Sequence, residues 1–144
     1  MTATRRNLCI FYGLVALAAL IATWSQNLQY FSGGGAGGGQ YIPDLKLTAS
    51  SRSFTVDIGF YLLAGTAFMV SEARKLRVRF VWLYVILGFV IAISVTFPLF
   101  MIARELRLAK MDTVETGVKL TATDIAGLAI VTAAVLGMTY YILT

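Results

Sequence analysis

The sequence predicts an all-α, polytopic membrane protein with four transmembrane helices in a single membrane domain, residues 1–144. Hydrophobic residues occupy 58% of the 144 positions and charged residues only 13%, whereas an average soluble domain carries about 25% charged residues. A soluble domain of this length could not bury so much apolar surface, because small domains keep a large surface-to-volume ratio. The mean hydropathy of +0.79 also excludes intrinsic disorder.

Four segments have the apolar composition of a membrane-spanning helix, which needs about 20 residues. They cover about residues 8–24, 54–71, 80–103 and 125–143. Because lipid offers no hydrogen-bond partner to the backbone, we expect each segment to be helical. Only the second segment contains a charged side chain, Asp57.

Two connections between the spans carry recognisable patterns. The glycine-rich loop 32–40 lacks the strand, helix and lysine of a phosphate-binding loop, so we expect a flexible linker. The amphipathic polar loop 104–124 repeats apolar side chains at near-helical spacing. This pattern fits a helix that extends the third span, a helix in the membrane interface, or a solvated helical hairpin. Thr121 or Thr123 is expected to cap the fourth helix.

The basic residues predict the orientation. If all four segments cross, the N-terminal tail and the second loop lie on one side of the membrane and carry two and four Lys or Arg residues. The first and third loops lie on the other side and also carry two and four, so the two sides hold equal numbers. The density of basic residues breaks this tie, because the short second loop holds Arg74, Lys75, Arg77 and Arg79. Cytoplasmic loops are enriched in Lys and Arg, so we expect both termini in the cytoplasm.

The composition excludes most catalytic chemistry. The chain contains no histidine and one cysteine, Cys9, so the commonest general base, an internal disulfide and a thiolate metal cluster are excluded. We find no nucleophile–base pair, no cofactor motif and no basic stripe interleaved with aromatics. We therefore expect no enzyme activity, no cofactor or metal, and no nucleic-acid partner.

Asp57 and Pro98 are candidate functional residues inside the spans. A carboxylate in hydrocarbon is costly, which points to a proton or cation site or to a basic partner. The dipole of a nearby helix N-terminus would instead give Asp57 a structural role, and both interpretations stay open. Pro98 removes a backbone hydrogen bond and is expected to kink the third helix.

Two charged pairs are further candidates for functional or partner contacts. Glu72 with Arg74 ends the second span, and Arg104 with Glu105 ends the third. The alternative is that these pairs only mark the boundary between membrane and water, and both interpretations stay open. With four crossings the two pairs lie on opposite membrane faces, and they would then belong to separate sites.

Small residues at a spacing of four predict close helix packing, within the chain or with another subunit. The fourth helix has its own stripe, and we expect it to dock onto another chain. The packing positions are Gly88, Ala92, Ala129, Ala133 and Gly137.

Several short motifs follow one another in a fixed order. They are Phe54-Thr55-Val56-Asp57, Glu72-Ala73-Arg74-Lys75-Leu76, Trp82-Leu83-Tyr84, Pro98-Leu99-Phe100 and Arg104-Glu105. Over about Leu8 to Leu108 the chain resembles a family of small bacterial membrane proteins, domain of unknown function 2834. The resemblance implies a three-helix unit in a bacterial inner membrane, with Asp57 at the family's acidic position. The glycine-rich insertion and the fourth span depart from that pattern, and the resemblance implies no activity.

These observations favour a non-catalytic accessory or scaffolding subunit of a larger membrane complex, such as a transporter or an energy-converting assembly. Its expected partners are other integral membrane subunits and membrane lipids. The alternative is a small carrier or channel that acts as a homo-oligomer and uses Asp57 as its proton or cation site.

Overall fold

The structure, a computed structural model, describes residues 1–32 and 37–111 together with the single positions 122, 126, 129, 130 and 133. The described residues form helices and contain no strand. The helices are α1 Ala3–Ser32, α2 Gly37–Asp44, α3 Ala49–Leu76, α4 Val81–Leu87 and α5 Ile93–Lys110, with a π-helical turn, Gly88–Ala92, between α4 and α5. Three segments are long and apolar enough to cross a membrane: Ala3–Phe31, Ala49–Leu76 and Val81–Lys110.

The first three predicted spans therefore fall within apolar helical segments, which indicates a membrane protein. The α3 helix starts earlier than predicted because Thr48 and Ser51 form a capping box. The Ser51 backbone N–H donates to Thr48 Oγ1 at 3.0 Å, and the Thr48 N–H donates to Ser51 Oγ at 3.1 Å. The fourth predicted span, 125–143, lies outside the described residues except for four single positions, so the four-span count stays a prediction.

The two predicted loops are partly described. Residues 37–40 of the glycine-rich loop begin α2, and residues 33–36 lie outside the described residues. The α2 helix is fixed to the end of α1, because Tyr30 packs edge-on against Tyr41 at 5.2 Å and its hydroxyl donates to Asp44 Oδ2 at 2.9 Å. The α5 helix continues to Lys110 and so extends the third span, as one interpretation of the polar loop predicted. Thr121 and Thr123 lie outside the described residues.

The third apolar segment reverses its direction inside the protein. Tyr84 and Phe100 are 16 positions apart, which in a straight α-helix corresponds to about 24 Å, yet their ring centroids are 5.8 Å apart. The reversal occurs at Ala92, whose backbone is extended (φ 176°, ψ 141°) between two helical segments. Val81–Ala92 and α5 therefore form a helical hairpin, whereas the sequence predicted one continuous helix over 80–103.

Side chains and backbone groups of neighbouring helices hold the hairpin tip. A Cβ atom on Gly88 would lie 3.1 Å from Thr96 Oγ1, so the two arms come close only because residue 88 is glycine. The indole N–H of Trp24 on α1 donates to the Ile91 carbonyl at 3.2 Å. This bond matters because irregular backbone at membrane depth must be satisfied by protein.

The α5 helix contacts α1, α3 and α4 and is therefore the central helix. Beside α5, α1 runs antiparallel: Gly13 lies next to Ile102, while Trp24 reaches Ile91. The core lies between α3 and the hairpin, where Met69 and Phe100 are both 0% exposed. Its members are Leu62, Met69, Ala73, Val81, Val85, Ile93 and Phe100.

Candidate functional site

The hairpin brings charged side chains from three helices to one end of the bundle. Arg5 lies in the first turns of α1, Glu72 in the last turns of α3, and Arg104 and Glu105 in the last turns of α5. We call these four residues the ionic clamp and their end of the molecule the charged end. The clamp links α1, α3 and α5, whereas the sequence predicted two separate charged pairs.

The clamp is a chain of alternating charges. Arg104 donates from Nε to Glu72 Oε2 at 2.8 Å and from Nη1 to Glu105 Oε1 at 2.8 Å. The second oxygen of Glu105 lies 3.6 Å from Arg5 Nη1. At the solvent side, Lys75 Nζ donates to Glu72 Oε1 at 3.3 Å. Each carboxylate therefore faces two cations from different positions.

The clamp is buried at its Arg5–Glu105 end and partly buried at Arg104 and Glu72. Arg5 is 3% exposed and Glu105 is 1% exposed. A buried charge is tolerated only when opposite charges and hydrogen bonds compensate its loss of hydration. The arrangement therefore fixes α1 and α5 against each other and ties α3 to α5. Its chemistry is that of a structural ion-pair network.

The expectation that the two charged pairs lie on opposite faces is wrong. Glu72 and Arg104 form a direct ion pair at 2.8 Å, because the reversal at Ala92 returns α5 to the end where α3 finishes. Arg104 and Glu105 do pair, as their adjacency suggested. Arg74 forms no ion pair with Glu72 and instead lines a second feature of the charged end.

An open cavity of about 760 Å³ lies beside the clamp, between the α3–α4 turn and the end of α5. We call it the arginine pocket. None of the described residues that line it is acidic, and its four arginines form no ion pair with a described residue. Those arginines are Arg74, Arg77, Arg79 and Arg107.

Sequence reasoning missed the arginine pocket. The signal was the dense basic run that begins at Arg74, which was used only to orient the chain. Arg107 could not be assigned to the same site, since a straight third helix would carry it to the far face. Trp82 lines the pocket as well, and tryptophan is enriched at membrane–water boundaries.

Asp57 lies far from both charged clusters. It is exposed and stands eight residues after the start of α3 at Ala49, beyond the first turn where the helix dipole acts. Along α3 it is about 22 Å from Glu72. No ion pair joins it to a described residue. The structural argument for Asp57 based on a helix N-terminus therefore fails.

Pro98 is buried inside α5, and the helix continues through it from Ile93 to Lys110. The sharp change of direction lies at Ala92, six positions earlier. Ala129 and Ala133 are exposed helical positions, whereas Gly137 lies outside the described residues. Among the described residues, no group of three His, Cys, Asp or Glu side chains could hold a metal ion.

A family model, described as protein of unknown function DUF2834, matches residues 11–106. The chain belongs to this family. The match confirms the resemblance seen in the sequence motifs, and it covers the hairpin as far as residue 106, together with Glu72, Arg104 and Glu105. No curated protein and no solved structure matches the chain.

Proposed function

We propose that this DUF2834 protein is a non-catalytic accessory or scaffolding subunit of a larger bacterial membrane complex, docking through its transmembrane helices. The observation that carries the proposal is the uneven burial of the apolar helices. In the most apolar 18-residue stretch of each segment, the share buried inside the protein is 6% for Ala3–Phe31 and 17% for Ala49–Leu76. The corresponding share for Val81–Lys110 is 39%. The outer faces of α1 and α3 thus offer a large area for neighbouring subunits.

The ionic clamp supports the same proposal. Its carboxylates and its central arginine are engaged with one another across three helices, which suits a rigid scaffold. A transport path or active site would instead need polar groups that face a cavity inside the bundle. The residues of the clamp are therefore assigned to holding the helices together.

Photo-cross-linking tests the accessory role. A photoreactive amino acid at Leu17 or Phe60, both exposed, is expected to give a discrete adduct with a second membrane protein that copurifies stoichiometrically in mild detergent. The same amino acid at Lys110, exposed at the charged end, serves as the control and should give no such adduct. A protein that purifies alone and cross-links only to lipid at Leu17 and Phe60 would overturn the proposal.

We further propose that the charged end faces the cytoplasm of a bacterial inner membrane. With α4 and α5 folded back, nine of the eleven described Lys and Arg residues lie at the charged end, and only Lys46 and Arg52 lie at the other. This distribution favours a cytoplasmic N-terminus through the positive-inside rule. The C-terminus lies outside the described residues, and a crossing by residues 125–143 would place it on the far side.

Thiol labelling tests both the orientation and the hairpin. In a Cys9→Ser background, single cysteines replace Arg77, Lys110 or Lys46, all of them exposed. In spheroplasts, an impermeant thiol reagent should label position 46, whereas positions 77 and 110 should react only after permeabilisation. Labelling of 77 and 110 from opposite sides would contradict the hairpin, and labelling of both in intact spheroplasts would reverse the orientation.

Asp57 favours the second candidate function, an oligomeric carrier or channel. Its carboxylate is exposed on a membrane-spanning helix, so in the membrane it would be stabilised by a basic or polar group of another subunit. An Asp57→Asn variant should then lose proton or cation flux in proteoliposomes, with Asp44→Asn as the matched control outside α3. Unchanged flux in the Asp57 variant would reject this function.

A further inference from the structure

The arginine pocket is the part of the charged end whose charge the described residues do not balance. Glu72 and Glu105 are the acidic residues described near it, and both are paired with the clamp cations or Lys75. The pocket arginines therefore lie beside carboxylates whose charge is already compensated. Such a concentration of unpaired guanidinium groups attracts an anion.

The backbone of the α3–α4 turn arranges these arginines. Arg77 has φ 52° and Phe80 has φ 60°, both in the left-handed region that side chains rarely adopt. Conformations of this kind cost free energy and cluster at ligand-binding sites. The Val78 N–H donates to the Ala73 carbonyl at 3.0 Å and secures the turn. The end of α3 and the turn thus place Arg74, Arg77 and Arg79 around one cavity, which Arg107 of α5 lines as well.

The composition of the pocket identifies the class of anion. A guanidinium group recognises phosphate through two parallel hydrogen bonds. A carboxylate is saturated by one or two such groups, whereas a phosphate group offers oxygens to several. Trp82 and Phe80 on the rim are large exposed aromatic and apolar groups, typical of the level at which lipid headgroups lie.

We propose that the arginine pocket binds the phosphate group of an anionic ligand at the membrane surface. The same chemistry is offered by the headgroup of an anionic phospholipid and by a soluble phosphate compound. Binding does not require the proposed accessory role, because all of the pocket residues belong to this chain.

The test uses the full chain in a non-ionic detergent with two probes. Native mass spectrometry measures the retention of added phosphatidylglycerol against phosphatidylcholine, and isothermal titration measures the binding of inorganic phosphate. We expect saturable binding of phosphatidylglycerol, inorganic phosphate or both. Arg77→Gln and Arg107→Gln should each weaken it roughly tenfold, as the loss of a charge-assisted hydrogen bond implies. Arg6→Gln removes the same charge from the same end but outside the pocket, and should change binding by less than about twofold.

The outcomes separate the ligand sources and decide the proposal. Retention of phosphatidylglycerol that phosphate does not displace supports a lipid headgroup, and saturable phosphate binding supports a soluble ligand. Equal losses in Arg6→Gln and Arg77→Gln would show only a general effect of net charge and overturn the proposal. Absence of saturable binding of both probes would overturn it as well.

Discussion

Two groups of charged residues lie side by side at the charged end, and they differ in burial and in balance. The ionic clamp is buried at Arg5 and Glu105 and partly buried at Glu72 and Arg104. It contains as many carboxylates as arginines, with each charge opposed by another. The arginine pocket is open, and the described residues that line it supply arginine without any carboxylate. Burial enforces pairing because an uncompensated charge in a low-dielectric interior is costly. In an exposed site, water stabilises unpaired charges, so the pocket can hold an excess of positive charge that is available to bind an anionic ligand.

Removal of the central carboxylate should have the largest effect. Glu105→Gln leaves Arg5 and Arg104 facing a neutral amide in a site where Glu105 is 1% exposed. We expect a loss of about 3–5 kcal/mol in the free energy of unfolding, measured by denaturant titration in mixed micelles. Arg107→Gln in the arginine pocket is the matched control and should change stability by less than about 0.5 kcal/mol. Equal losses of unfolding free energy in Glu105→Gln and Arg107→Gln would contradict the distinction between the clamp and the pocket.

A methyl group at the hairpin tip should disturb the geometry on which both groups depend. In Gly88→Ala the new Cβ atom meets Thr96 Oγ1 at 3.1 Å, and overpacking of this kind costs about 1–3 kcal/mol. The control is Gly59→Ala in α3, where nothing lies within 4 Å of the added atom. Since alanine favours helix over glycine, the control should gain up to about 1 kcal/mol. Thermal unfolding in detergent compares the two, and equal shifts would contradict the close approach of the arms.

A double-mutant cycle tests whether the clamp joins helices. Glu72→Gln and Arg104→Gln, singly and together, should show a coupling of about 1 kcal/mol or more, because the pair bridges α3 and α5 in a partly buried setting. The cycle with Glu72 and Lys75 should give less, about 0.3–0.5 kcal/mol, since the Lys75 side chain is 72% exposed. A larger coupling for the Lys75 pair would contradict the assignment of Arg104 as the bridge.

The smallest expected effect is a gain in stability, whereas the clamp and hairpin substitutions above are expected to reduce it. Arg77→Gly relieves the left-handed backbone at φ 52° and should raise the free energy of unfolding by up to about 1 kcal/mol. The same substitution removes a pocket guanidinium and should weaken phosphate binding. Arg77→Asn, whose side chain tolerates this conformation, should show the same loss of binding. A variant that loses stability would show that the Arg77 side chain supports the fold.

Most of the first two spans was predictable from local composition. Apolar length identifies α1 and α3 because lipid forces each apolar segment into a helix. Their ends were less predictable: the Thr48 capping box starts α3 well before its apolar stretch. The Glu72–Arg104 pair and the arginine pocket were not predictable, since both depend on the position of α5 after the reversal. The sequence predicted a helix kink at Pro98. The chain instead reverses direction at Ala92, a residue type that does not signal a turn.

The sequence by itself determined that this chain is a helical membrane protein of the DUF2834 family with a strongly basic set of helix ends. Those properties are local, and hydropathy and motif order record them directly. Only the tertiary structure decided that the ends of α1, α3 and α5 meet. A straight span and a hairpin have the same apolar composition. What separates them is non-local: the close approach of Gly88 to Thr96, the Trp24 bond to Ile91, and the pairing of charges far apart in the chain.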